Sequence, residues 1–139
     1  EVIAKLNSLF AETLWEAESF LSPMEWNDEP SKPEKFRVAM KKFVELFRYF
    51  DKHRIYLPHH LCSSLESLVM EVRGLVTKFG VYIEVTDNHF NGPVQQEKWK
   101  AWTDGWEAIR NQVPQARRSL EEEFRTLLGA AGVDVGGVK

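Results

Sequence analysis

Hydrophobic side chains recur along most of the chain at steps of three and four residues, a spacing that places them on one face of an α-helix. Four such series follow one another. Their members are Ile3, Leu6, Phe10, Thr13, Ala17 and Phe20; Phe36, Met40, Phe43, Phe47 and Phe50; Leu61, Leu65, Leu68, Val72, Leu75, Phe79 and Tyr82; and Trp99, Trp102, Trp106, Ile109, Val113, Ala116, Leu120, Phe124 and Leu127. Each series is typical of an amphipathic helix with one buried face, so the sequence predicts four helices.

Proline and glycine mark the breaks between these helices, because proline lacks a backbone donor and restricts the residue before it. Three prolines fall within residues 22–33, and Pro58 and Pro93 mark two further breaks. Helices joined in this way predict an all-α fold, an antiparallel up-down four-helix bundle spanning residues 1–128. Four glycines crowd the residues that follow, which predicts a flexible C-terminal tail over 129–139.

In two stretches the secondary structure allows more than one interpretation. Residues 80–86 are rich in alternating β-branched side chains and are compatible with a strand. A lone strand would leave its backbone polar groups unsatisfied, so we expect the third helix to continue to about Val85. Pro114 falls inside the fourth series, which keeps its phase across the proline. The sequence therefore predicts one long last helix with a kink at Pro114.

Composition narrows the class of protein. A chain of 139 residues is typical of one domain, and its single cysteine, Cys62, excludes an internal disulfide and a four-cysteine metal site. The formal net charge of −3 argues against general affinity for nucleic acid. No apolar run approaches the roughly 18–20 residues of a membrane span. We therefore expect a cytoplasmic protein without a membrane partner.

Charge is unevenly distributed along the chain. Residues 1–29 have a local balance of −6, whereas residues 32–54 have a balance of +5. Four basic side chains line one flank of the predicted second helix: Arg37, Lys41, Arg48 and Lys52. We call these four residues the basic strip. The favoured interpretation is complementarity with the acidic first helix, and the alternative is a contact strip for phosphate or nucleic acid.

The residue types that serve catalysis and metal binding occur in two groups: His53, His59, His60 and Cys62 around Pro58, and Glu12, Glu16 and Glu18 on the first helix. His59 and Cys62 have the spacing that a metal-binding helix offers and His53 could add a third ligand, but such residues more often form a helix N-terminus with a buried structural thiol. A di-iron bundle site also requires Glu-x-x-His, which the chain lacks. The sequence therefore predicts no metal site, no cofactor and no enzyme activity.

The tryptophans allow two interpretations. Trp99, Trp102 and Trp106 share one helical face, which favours a place in the core over an exposed anchor for a partner. Trp15 lies off the main series of the first helix, and Trp26 lies in the first loop. Either of these two is compatible with a bundle end or an interface.

Three stretches carry a resemblance: Glu1-Val-Ile-Ala-Lys-Leu-Asn-Ser-Leu-Phe10; Phe50-Asp-Lys-His-Arg-Ile-Tyr-Leu-Pro58 with Leu61-Cys62; and residues 113–129, VPQARRSLEEEFRTLLG. Together they resemble a family of uncharacterised bacterial proteins in which this helical domain follows a long N-terminal coiled coil. The resemblance implies an all-helical head separated from its coiled-coil arm. It implies no activity.

The sequence thus predicts a non-catalytic helical interaction or oligomerisation module, the head of a longer coiled-coil protein, whose partner is a second copy or another protein. The first helix has more apolar surface than one bundle contact requires, and the end of the long fourth helix is expected to overhang. The predicted interface residues are Val2, Leu9, Trp15, Leu120, Phe124 and Leu127. The alternative is a phosphate- or nucleic-acid-binding module that uses the basic strip.

Overall fold

The computed structural model describes residues 1–23, 30–84 and 92–130. Within these ranges the chain forms five α-helices and a short 3₁₀ helix, and no strand. The α-helices are α1 Val2–Leu21, α2 Lys32–His53, α3 His59–Glu84, α4 Gly92–Asn111 and α5 Val113–Ala130, and the 3₁₀ helix is Arg54–Tyr56. The predicted all-α class is confirmed for the described part of the chain.

The predicted single last helix with a kink at Pro114 is not confirmed: two helices, α4 and α5, lie on either side of Gln112. Pro114 is the second residue of α5, where a missing N–H leaves no helical hydrogen bond unmade. In an unbroken helix the proline ring would clash with the carbonyl of Arg110. The break moves Pro114 from a helix interior, where it would be costly, to a first turn, where it is well tolerated.

Two predicted boundaries also change. Residues 80–84 are helical, so the strand alternative is wrong as far as Glu84, whereas Val85 and Thr86 lie outside the described residues. Gly129 and Ala130 still belong to α5, which places the end of the last helix two residues beyond Leu128, the predicted end of the bundle. Residues 131–139 lie outside the described ranges.

Helices α1 and α3 occupy the centre of the packing. Each of them contacts all four of the other α-helices, whereas α2 packs mainly on α1 and α3. One continuous core forms between them, and all five helices contribute to it. Its largest fully buried side chains are Phe10, Phe20, Phe43, Phe50, Phe79, Leu6, Leu14, Leu21, Leu46, Leu61, Leu65 and Ile109.

Aromatic contacts define the direction of the helices. Phe20, near the end of α1, lies 5.4 Å from Phe36 at the start of α2 and 5.2 Å from Phe79 near the end of α3. At the opposite end, His60 at the start of α3 lies 3.1 Å from Glu123 late in α5. Consecutive helices α1, α2 and α3 therefore alternate in direction, and the start of α1 lies beside the end of α2.

The end of α1 is closed by side chains from two other helices. Lys32 is 9% exposed, and its ammonium donates hydrogen bonds to the carbonyls of Phe20 at 2.6 Å and Ser22 at 2.7 Å. The Trp102 indole N–H donates to the Leu21 carbonyl at 2.8 Å. The last carbonyls of a helix lack partners within the helix, and a cation there also complements the helix dipole. Lys32 and Trp102 thus join α2 and α4 to the end of α1.

The three aligned tryptophans have different environments. Trp102 and Trp106 are half-buried and pack against the core, as predicted. Trp99 is 63% exposed, so its assignment to the core is wrong. It lies edge-on to Trp102 with ring centroids 5.5 Å apart. Trp26 lies outside the described residues.

Candidate functional site

The basic strip is divided in two by the shape of the molecule. All four of its side chains are exposed along α2. Arg48 and Lys52 line a cleft between α1 and α2, whereas Arg37 and Lys41 lie nearer the start of α2 and do not line it. The two pairs carry the same charge on the same helix, so they differ chiefly in what surrounds them.

The cleft lies where the start of α1 meets the end of α2 and has a volume of about 560 Å³. The residues that line it are Lys5 and Leu9 from α1, and Glu45, Arg48, Tyr49 and Lys52 from α2. Tyr49 and Leu9 are half-buried against the core and form the apolar part of the cleft lining. The Lys5 ammonium lies over the Tyr49 ring, 5.2 Å from the ring centroid. We call this feature the basic cleft.

Three cations of the basic cleft have no ion-pair partner among the described residues. They are Lys5, Arg48 and Lys52. The carboxylate of Glu45, which also lines the cleft, lies 3.4 Å from the Lys42 ammonium, and Lys42 also pairs with Glu12 of α1 at 3.0 Å. The basic cleft therefore has a positive surplus, and its own acid is engaged elsewhere.

Lys42 is the cation through which α2 pairs with the acidic first helix. The pKa of Lys42 is raised, first by its hydrogen bond to Glu12 and further by the nearby charges of Glu12 and Glu45, against the opposing effect of burial. A raised lysine pKa keeps the ammonium charged at neutral pH. The pair with Glu12 is an instance of the predicted acidic–basic complementarity, although Lys42 lies outside the basic strip.

Sequence reasoning missed Lys5, Glu45 and Tyr49. Glu45 and Tyr49 could be found in part from the sequence, because Glu45 lies three residues before Arg48 and Tyr49 lies three residues before Lys52, the spacing of neighbours on a helix. Lys5 had no such signal within its own helix. Its place beside Tyr49 follows from the antiparallel pairing of α1 with α2.

A second surface feature surrounds Trp15, which is 70% exposed on α1. Its indole forms one wall of a depression of about 280 Å³. The other lining residues are Ala11, Glu12 and Glu16 of α1 and Lys42 of α2. We call this feature the Trp15 depression. It combines a large exposed aromatic ring, a small neighbour and a charged rim.

The other predicted interface residues do not form an open apolar surface. Leu120 is 1% exposed and Phe124 is 2% exposed, so the expectation that both lie on an uncovered overhang is wrong. In the structure α5 packs against α1 and α3. Three other predicted interface residues are half-buried: Val2, Leu9 and Leu127.

Three of the side chains around Pro58, those of His53, His60 and Cys62, have separate local partners. His53 Nδ1 lies 2.9 Å from the Tyr49 carbonyl oxygen, His60 pairs with Glu123, and the Cys62 thiol donates to the Arg54 carbonyl at 3.6 Å. Burial raises the pKa of the Cys62 thiol, which disfavours the reactive thiolate. Within residues 1–23, 30–84 and 92–130, no three such side chains converge on a point where a metal ion would be held.

Comparisons of the chain with protein-family models, with curated proteins and with solved structures gave no match. In the part of the chain that the structure describes, no helix combines the length and apolar character that crossing a membrane requires. Functional inference for this chain therefore depends on its own surface chemistry.

Proposed function

We propose that this chain is a non-catalytic helical interaction module that self-associates through the Trp15 depression. The observation that supports the proposal is the 70% exposure of a tryptophan on α1, a helix that already contacts the other four α-helices. Tryptophan is enriched among the residues that dominate binding energy at protein interfaces. An exposed indole can serve as the inserted side chain of such a contact, and the depression beside it can serve as the receiving surface.

The surroundings of Trp15 favour a second copy of the chain as the partner. A twofold symmetric contact requires one patch that is complementary to itself. In this arrangement each indole enters the other copy's depression, where the small side chain of Ala11 permits close approach. Glu12, Glu16 and Lys42 would form the polar rim that surrounds the apolar centre of a typical interface.

The wider proposal follows the resemblance noted in the sequence. The module acts as the cytoplasmic head of a longer protein with a coiled-coil arm. Within it, α4 and α5 together supply the fourth side of an up-down bundle, since both contact α1 and α3. Self-association of the head would reinforce association of the arm, because a second contact between linked copies forms at a high effective concentration.

Light scattering over a concentration series tests the contact. For the unmodified chain we expect the mass to rise from 16.2 kDa towards twice that value. Trp15→Ser should hold the mass at 16.2 kDa. Trp99→Ser removes an indole that is 63% exposed on α4 and should behave as the unmodified chain does. A mass that stays fixed for the unmodified chain, or equal effects of the two substitutions, would contradict the proposal.

A second candidate function is phosphate or nucleic-acid binding along the basic strip. The observation that favours it is the exposure of all four side chains on α2. Binding through them should weaken steeply with salt, because neutralised phosphates release counterions. Fluorescence anisotropy with single- and double-stranded oligonucleotides checks this, and no binding at low salt would exclude the nucleic-acid form of it.

A further inference from the structure

We propose that the basic cleft binds a small phosphate monoester whose other end is an apolar group. The proposal deepens the second candidate function and rests on two residues of the basic strip, Arg48 and Lys52. The proposed site differs from the basic strip because it includes Lys5 from α1 and gives no role to Arg37 and Lys41. The ligand is therefore compact and does not extend along α2.

The charge of the basic cleft matches a dianion. Among the described residues that line the cleft, Lys5, Arg48 and Lys52 oppose one carboxylate, that of Glu45, which leaves a surplus of two positive charges. A phosphate monoester carries about −1.5 to −2 charges near pH 7. Arginine presents a planar fork of donors that suits two phosphate oxygens at once, and lysine adds a point charge.

The unpaired state of these cations is an independent reason to expect an anion. Arg48 and Lys52 are four residues apart on α2, where like charges repel and destabilise a helix. Lys5 approaches from the adjacent helix, held over the Tyr49 ring. Among the described residues, Glu45 pairs with Lys42 and with none of these three cations. A bound dianion would satisfy all three cations together.

The remaining lining determines what the phosphate is attached to. Leu9 and the ring of Tyr49 are half-buried and offer apolar contact next to the cations. The volume of about 560 Å³ exceeds the needs of inorganic phosphate alone and lies within the range of about 300–1,000 Å³ typical of small-molecule sites. An aromatic or short aliphatic group would fill the space that phosphate leaves.

Calorimetric titration and amide NMR spectra with three probes test the proposal: phenyl phosphate, inorganic phosphate and benzoate. Phenyl phosphate should bind saturably and most tightly, and it should shift the amide signals of Lys5, Leu9 and Tyr49. Inorganic phosphate lacks the apolar contact and benzoate lacks the second charge, so both should bind several-fold more weakly. Absence of saturable phenyl phosphate binding, or equal affinity for benzoate, would overturn the proposal.

Charge-matched variants locate the site. Lys5→Gln and Arg48→Gln should each weaken phenyl phosphate binding about tenfold or more, the loss expected for one charge-assisted hydrogen bond. Arg37→Gln and Lys41→Gln remove the same charge from exposed positions outside the basic cleft and should leave the affinity within about twofold. Equal losses from both pairs would indicate diffuse attraction and would overturn the proposal.

An oligonucleotide titration of the same variants separates this proposal from the function on which it rests. Nucleic-acid binding along the basic strip predicts that the three substitutions within the strip, Arg37→Gln, Lys41→Gln and Arg48→Gln, weaken oligonucleotide binding. If oligonucleotides bind with that variant pattern and phenyl phosphate does not bind, the second candidate function stands and the small-ligand site fails. If phenyl phosphate binds with the predicted variant pattern and oligonucleotides do not bind, the small-ligand site stands alone.

Discussion

At the scale of single residues, two glycines of α3 provide a matched pair. A Cβ atom at Gly80 would overlap the Phe36 ring, whereas one at Gly74 would meet no atom within 4 Å. We expect Gly80→Ala to destabilise the protein by about 1–3 kcal/mol, because the aromatic cluster at this end must shift. Gly74→Ala should stabilise by about 0.5–1 kcal/mol, since alanine favours the helix. Urea denaturation measures both, and effects of the same sign would contradict this geometry.

Cys62 should make stability depend on pH in the alkaline range. Burial raises its pKa in the folded state, so the unfolded chain loses the thiol proton first as pH rises. The stability associated with the neutral thiol is fully present below the unfolded pKa of about 8.5 and is lost as pH rises through the folded value.

The matched variant for this effect is Cys62→Ser, whose hydroxyl can still donate to the Arg54 carbonyl but does not titrate in this range. We expect the free energy of unfolding of the unmodified chain to fall relative to that of the variant between pH 8 and 10. If the free energies of unfolding of the two proteins change in parallel over that pH range, burial does not raise the pKa of the thiol.

At the scale of elements, the start of α2 is fixed by its own first residues. The Glu34 backbone N–H donates to Ser31 Oγ at 3.4 Å, and the Ser31 N–H donates to the Glu34 carboxylate at 3.3 Å. Ser31→Ala should cost about 1 kcal/mol by removing this cap. Ser63→Ala in α3 is the control, because an exposed helical serine replaced by alanine should gain a few tenths of a kcal/mol. Thermal unfolding of the two variants measures both effects. If Ser31→Ala leaves the stability unchanged, the cap is dispensable.

The sequence predicted the existence of the helices better than their division. Side-chain periodicity reports which face is buried, and that face continues through Gln112, so periodicity alone cannot separate a kink from a break. One unbroken last helix would have projected beyond its neighbours, and for that reason Leu120 and Phe124 were predicted to lie uncovered. In the structure α5 packs against α1 and α3, and both side chains lie in the core.

The candidate site was predictable only within one helix. The spacing of Arg48 and Lys52 identifies a shared face of α2, and both side chains are exposed there. Lys5 is more than forty residues away in sequence, and its approach to Tyr49 depends on the register of α1 against α2. Periodicity carries no information about that register, because it is determined by packing between helices.

At the scale of the whole molecule, one continuous core predicts one unfolding transition. Leu120→Ala should lower stability by about 2–5 kcal/mol, because its side chain is fully buried although α5 is the last helix described. Circular dichroism and tryptophan fluorescence should give the same shifted midpoint. Two separate transitions would show that α5 unfolds independently. Leu127→Ala, at a half-buried position on the same helix, should have a smaller effect.

The closure of α1 by Lys32 has a consequence for the order in which the chain folds. The carbonyls that Lys32 caps lie only 12 and 10 residues before it in sequence. Contacts between near neighbours in sequence require little loss of chain entropy, so they form early. We expect the pairing of α1 with α2 to be largely formed in the transition state. Lys32→Met should then slow refolding more than it accelerates unfolding, a partition that stopped-flow kinetics measures directly.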